Sequence, residues 1–592
     1  MKNVKCLSVA VAVVMLVCAA PVFAGTLTVT SSVDTYPDAT AGSLRAILSQ
    51  ASDGDTITFD ASLAGETINI VTVPTAHEDS SLVVDKAVII QGPEGGIVID
   101  GGWNKVAASD TGGRIFLIKE GLSKVVFNNV TMRRGHSRPW GVYNNLFVQG
   151  GAVGAYSPVR FESCTFVENA GCDINVNWVP AGRGGGAIYA EADVELVSCR
   201  LEGNCIPAGS VSYGGAIYMA QGALVARNCV FDSNYSRSYC GGIRMAPEAT
   251  SVLLEDCLVE HGYCPGGNGA HAGFMWANMS NAAGKFIRFN RCVFRDNYLE
   301  AAGGFGGALY AESAVPVTIT DCEFSECRTG NGGAVRSHGN PTIFVNCTFT
   351  GGASSGDSWG PALDIRNTTY FVNCTFGGNV FLDMQNSGGG SAITLGNPTM
   401  LLNCVLAYNY RNVGDGATGD ILTNNDIGKF NSSWTCVNTI ANGVDANGAA
   451  ITLALTLEDV DSASKIFADY RSVDSVKFFG TTAALRQSLV FPDYIADKSG
   501  KYRSRVFAPV KGGLLDGTGW PVKVNADYSH ICYSADGGAT WTDLYTSGTP
   551  DDSTLALITA DQRGVPYKNG VPPIGAATYV ETSDSGLLIV VR

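Results

Sequence analysis

The chain has 592 residues, more than one compact core requires, with 72 glycines, 45% hydrophobic residues and only 16% charged residues. A formal net charge of −15 excludes nucleic acid or an anionic membrane as the main partner. Glycine together with abundant Val, Ile, Phe and Thr favours turns and strands over helices.

Residues 1–24 read as a secretory signal. Lys2 and Lys5 lead an apolar stretch from Leu7 to Ala20, too short to span a bilayer, and Pro21-Val22-Phe23-Ala24 offers a small-residue cleavage site. The mature chain is therefore expected to be exported, secreted or held at the outer surface, with no membrane-spanning segment. Residues 25–125 carry strand-like runs (TLTVTSS, DTITF, SLVVD, AVIIQG, GIVIDGG) and form an N-terminal cap with the first coils.

From residue 126 to about 445 the sequence repeats. FVNCTF occurs at Phe344–Phe349 and again at Phe371–Phe376. Cysteines 164, 199, 229, 257, 292, 322, 347, 374 and 404 recur at spacings of 25 to 35 residues. Each has an apolar residue two positions after it and, in most copies, another three before. Ser, Asn or Asp stands immediately before most of them. A glycine-led start (GGAV at 150, GGAIY at 185 and 214, GGALY at 306) lies upstream, and Asn often follows five residues after the cysteine, as at 169, 204, 234, 297, 379 and 409. The period-two runs are strands. The polar residue at the break tolerates a left-handed corner. Three strands with corners, recurring about every 30 residues, make one turn of a parallel β-helix, which buries its inner face only by stacking on the next.

The cysteines then form an inward column. Neighbouring strands lie about 4.8 Å apart, wider than the ~3.8 Å Cβ separation that a disulfide prefers, so free stacked thiols are expected. The asparagines form an amide ladder.

The frame GGA[IVL] followed by F-x-x-N, as in GGAIYMAQGALVARNCVFDSN, resembles the repeat of bacterial polymorphic outer membrane proteins and related β-helix adhesins. AGSLRAILSQASDGDTITFD, Ala41 to Asp60, resembles their cap helix leading into a first strand, and ADQRGVPYKNGVPPIGAA, Ala560 to Ala577, their closing segment. The resemblance implies an all-β, right-handed parallel β-helix, a handedness that parallel crossovers also favour. It implies surface or secreted location rather than chemistry. The family's translocator barrel has no counterpart here.

Residues 446–592 read as degenerate coils and an irregular C-terminal cap. Within it Ser534 to Trp541, SADGGATW, fits the Asp-box pattern S-x-D-x-G-x-T-W, a structural hairpin turn; one copy makes no propeller.

Function is expected in the loops between F-x-x-N and the next GG, which stacking would align along one edge. They carry Trp140, Trp178, Tyr239, Trp276, Tyr298 and Trp359, candidates for binding an extracellular glycan or protein, with covering of loop ends as the alternative. Cys172 with Cys205, and Cys240 with Cys264, are candidate disulfide staples, against unpaired burial. His261, Cys264 and His271 match no familiar zinc spacing, and no metal or cofactor is expected. Outward acids at Asp232, Glu260, Asp296, Glu323 and Glu326 do not recur as a cluster. A basic spot at Arg133, Arg134 and His136 is expected to be solvated. No catalytic residue is assigned. An adhesin-like monomer leads, and a polysaccharide lyase or glycoside hydrolase on the same scaffold is the rival.

Overall fold

The computed structural model describes residues 24–71, 80–105, 112–137, 149–171, 184–207, 213–266, 271–300, 304–329, 333–354, 362–381, parts of 393–439, 517–548 and 552–577, with short strands at 477–478, 494–496 and 503–505. The predicted signal, most of residues 440–516, and Trp140, Trp178, Trp359 and Cys172 lie outside the described residues.

The coils contain the three predicted strands and, from Cys205–Ile206 onward, a fourth. In one coil these are Ile188–Ala190, Val194–Val197, Arg200–Glu202 and Cys205–Ile206. First and second strands join one 24-stranded sheet, third strands a 12-stranded sheet, and fourth strands a 10-stranded sheet. Pairing between coils is parallel and in register. Val194 faces Leu224, Leu201 faces Phe231, and Phe344 faces Phe371. The two FVNCTF segments therefore lie on top of each other.

The corners form where the polar residues predict them. Between second and third strands φ is positive at Ser163, Ser198, Asn228, Asp256, Arg291, Asp321, Asn346, Asn373 and Asn403. All nine column cysteines are free and buried. Their thiols donate to carbonyls, as Cys347 Sγ does to Ile319 O at 3.4 Å and Val345 O at 3.2 Å. Burial pushes the Cys257, Cys292 and Cys347 thiols well above their usual range. Val130 holds the same column before Cys164, and Thr439 continues it after Cys404, donating through Oγ1 to Leu401 O at 3.2 Å.

The second corner holds the amide ladder. Asn204 Nδ2 donates to Phe166 O and to Asn234 Oδ1, each at 3.0 Å, and Asn204 Oδ1 accepts from Asn169 Nδ2 at 2.9 Å. The paired glycines close the coil. Gly185 takes φ +84°, and a Cβ on Gly186 would stand 1.9 Å from Gly215 O.

The cap helix Leu44–Gln50 forms where expected, with Ser43 Oγ accepting from Ala46 N at 3.2 Å. It follows a strand instead of preceding the first one: Thr26–Val29 comes before it and pairs with Thr56–Phe59.

The segment 517–577 differs from a cap stacked on the last coil. It lies along the flank, against second strands and corners. Val522, Ile531 and Leu544 pack with Ile343, Val345, Val372 and Leu402. Asn346 donates to Ala560 O, Asn373 to Tyr567 Oη, Asn403 to Trp520 O and Asn438 to Thr518 O. The Asp-box forms the turn between His530–Tyr533 and Thr542–Thr546. Asp536 accepts from Thr540 N at 2.8 Å and Thr540 Oγ1 at 2.6 Å, and Ser534 Oγ accepts from Gly538 N at 2.6 Å. Lys523 Nζ sits 4.0 Å from the centre of the half-buried Trp541 ring.

Candidate functional site

Trp276, expected in a loop, lies in the first strand Met275–Ala277 and is 5% exposed. It belongs to an outward column in register: Tyr189, Tyr218, Arg244, Trp276, Tyr310, Arg336 and Asp364. Arg244 Cζ stands 3.4 Å from the Trp276 ring centre, and Arg336 Cζ 3.6 Å from that of Phe305. Trp276 Nε1 donates to Glu312 at 2.8 Å. Tyr239 packs 5.6 Å from Trp276, nearly parallel, and 4.5 Å from Tyr213. For these two rings the covering alternative describes their surroundings. The position after GGA-φ carries this column in the sequence. Its side chains alternate outward, and several are large and aromatic, a signal that attention to loops passes over.

Tyr298 is differently placed. It lies on the fourth strand, Tyr298–Leu299, in register with Tyr263 and Arg328, and Tyr263 is in register with Tyr235. Tyr263 and Tyr298 stack at 5.6 Å with planes 18° apart, and Arg328 Cζ lies 4.8 Å from the Tyr298 ring centre. All four side chains are half-buried. The cause is the strand period. Ser236, Cys264 and Leu299 alternate inward, so their neighbours Tyr235, Tyr263 and Tyr298 point out.

Across the adjoining corner lies a charged group. Asp232, Glu260 and His261 have ligand atoms within 4.8 Å of one another. His261 Nδ1 meets Asp232 Oδ1 at 3.0 Å, and Arg200 donates to Asp232 Oδ2 at 2.9 Å. Burial opposes charge on His261, but the Asp232 hydrogen bond and the charges of Glu260, Asp232 and Asp296 together outweigh it and hold the imidazole above its ordinary value. Arg328 pairs with Asp296, and Arg295 lies 3.4 Å from Glu323, which is fully buried. Asp232, Glu260 and His261 thus converge although no sequence cluster marks them, because coils 28 to 30 residues long bring them together. His271 sits elsewhere, against Trp276 at 4.1 Å.

Cys205, Cys240 and Cys264 are free thiols. Cys240 registers with Tyr213 and Ala272 beside the first strands, whereas Cys264 registers with Leu299 on the fourth. The two lie in different columns, which is why coil adjacency alone does not align them. The basic spot is solvated only in part: the Arg133 and Arg134 side chains are 40% and 36% exposed. Arg133 and Arg134 both bond the fully buried Asp100, at 2.7 and 2.6 Å, and His136 is 3% exposed.

A family described as "Right handed beta helix region" matches residues 181–349. The fold is a right-handed parallel β-helix. The chain is similar to tailspike protein 3 of bacteriophage CBA120, with 12% identity and a TM-score of 0.31, over 86% of this chain and 66% of that one. No curated protein matches it. Among the described residues no helix is long and apolar enough to cross a membrane.

Proposed function

We propose that this is an exported, adhesin-like β-helix protein that holds an extracellular glycan or protein against its tyrosine-lined edge. One observation carries the reading: Tyr235, Tyr263 and Tyr298 form an in-register, half-buried ladder on the outside of the coils. Stacked, pre-ordered aromatic faces give contact area at low entropy cost. The flanking Asp232, Glu260 and Glu300 supply hydrogen-bond acceptors, and Tyr263 Oη donates to Glu300 at 2.5 Å. The likeness of the repeats to polymorphic outer membrane proteins and the signal-like start support export and surface display.

The convergence of Asp232, Glu260 and His261 beside the ladder favours a second reading, a polysaccharide lyase or hydrolase. A glycan array read for both retention and product release decides between them. Retention without release, lowered roughly tenfold by Tyr263→Ala or Tyr298→Ala, supports binding; tenfold corresponds to about 1.4 kcal/mol. Release of cleaved or unsaturated sugars that stops in Glu260→Gln supports the enzyme.

A further inference from the structure

The seam between the flank and segment 517–577 encloses a cleft of about 560 Å³, within the ~300–1,000 Å³ usual for small-molecule sites. It is separate from the tyrosine ladder. Its coil side is made by two successive corners, Arg291 and Asp321, with Val293 and Val345 beneath. Its other side is Tyr528, Leu557 and the turn around Gln562.

Three features mark it as built. Arg291 occupies a positive-φ corner, at +51°, where the other copies have Asn, Ser or Asp. A long side chain there is disfavoured, and such departures from local preference concentrate at functional positions. Gln562 is 4% exposed; its Oε1 accepts from Thr348 Oγ1 at 2.5 Å, but its Nε2 has no hydrogen-bond partner. A buried amide left unpaired is destabilising. Leu557, on the rim, is 50% exposed, one of the few large apolar side chains so open.

The charges select the ligand class. Arg291 is already paired with Asp256, at 2.8 and 2.9 Å, and Arg563 with Asp561, at 2.5 Å. Asp321 lies between them, with Asn346 Nδ2 donating to its Oδ1 at 2.9 Å. An anion would meet acids whose basic partners are already engaged. A purely apolar ligand would leave Gln562 Nε2 unpaired. A neutral ligand rich in hydroxyls, with one apolar face, suits this lining: the Asp321 carboxyl and, once its side chain turns toward the cleft, the Gln562 amide along its edge, and Leu557 against its C–H face. The geometry points to a binding site for a neutral sugar residue in the seam cleft, with Asp321 and Gln562 as its polar contacts.

Saturation-transfer NMR and calorimetry on the full chain test it. The probes are glucose, galactose, mannose, rhamnose, N-acetylglucosamine, lactose and maltose, with glucuronate and inorganic phosphate as anions. At least one neutral sugar binds, and Asp321→Asn and Leu557→Arg each weaken it tenfold or more. The Leu557 side chain reaches solvent, so L557R leaves the fold intact and serves if D321N shifts stability. The assignment is overturned if no neutral sugar binds, if an anion binds better, or if both variants retain affinity. Binding that disappears in Tyr263→Ala belongs to the tyrosine ladder and also overturns it.

Discussion

Phe349 and Phe376, one coil apart, stack with ring centres 4.7 Å apart and planes 4° from parallel. Phe324 continues the stack below at 4.9 Å. Both neighbours would lose contact in Phe349→Ala, and the coil cannot collapse around the gap because its strands are held in register. Chemical denaturation should show a loss of about 3–5 kcal/mol. A loss below about 1 kcal/mol would mean the column does not hold the coils together.

Asn204 satisfies backbone and side-chain groups of three coils at once. Asn204→Ala removes the acceptor of Asn169 N, one of the two acceptors of Asn169 Nδ2, and the side-chain donor to Phe166 O. The expected cost is about 1–3 kcal/mol. Hydrogen exchange should locate the weakening around residues 166–169 and 234 rather than throughout the chain.

The thiol column predicts a reactivity pattern. The nine stacked cysteines should ignore an aromatic disulfide reagent in the folded protein and react in guanidinium, since burial bars the reagent from all nine and also raises the Cys257, Cys292 and Cys347 thiols. Fast reaction of several of them in the native state would contradict the inward column.

Asp321 sets a pH signature. Burial pushes its carboxyl up to about 7, against the Asn346 hydrogen bond and the Arg291 charge and with the Asp561 charge. The folded state therefore holds this proton more tightly than the unfolded chain. Stability from this group is present below the unfolded value near 3.9 and is lost as pH rises toward 7. Asn imitates the protonated acid, so Asp321→Asn should raise Tm at pH 8 by roughly 2–4 °C, by about a third of that at pH 5, and hardly at all below the unfolded value near 3.9. An equal shift at both pH values would argue against this proton.

Asp561 and Arg563 are 2% exposed each and pair at 2.5 Å. Asp561→Ala removes the charge partner of a buried guanidinium, at a cost of about 3–5 kcal/mol. Limited proteolysis should then cut segment 517–577 while the coils stay intact. Unchanged protection would show that the segment is held by its apolar contacts alone.

The coil was legible because stacking forces one residue type to answer the same demand in every turn. Cysteine 347 and Asn346 repeat at 374 and 373, and the left-handed corner explains the second as burial explains the first. The fourth strand escaped detection because two residues, such as Tyr235–Ser236, are too few to display alternation. Trp276 reads as a loop residue in the sequence because the insertions before GG blur where a loop ends. The flank docking left a trace that went unread. Outward positions of the second strand are Arg160 and Glu162 in an early coil, but Ile343 and Val345, then Tyr370 and Val372, then Met400 and Leu402 in late ones. That change from charge to hydrocarbon marks the covered coils. The charged group of Asp232, Glu260 and His261 and the seam cleft depend on register and on contacts over 200 residues apart in sequence, which no local pattern encodes.

A solenoid of this kind couples each turn only to the next, so tension along its axis ought to peel it one turn at a time. Segment 517–577 interrupts that logic, because its bonds to Asn346, Asn373, Asn403 and Asn438 cross four consecutive turns. It works as a splint. The distal stretch should yield as one block at a higher force, while the turns nearer the N-terminal helix unwind singly.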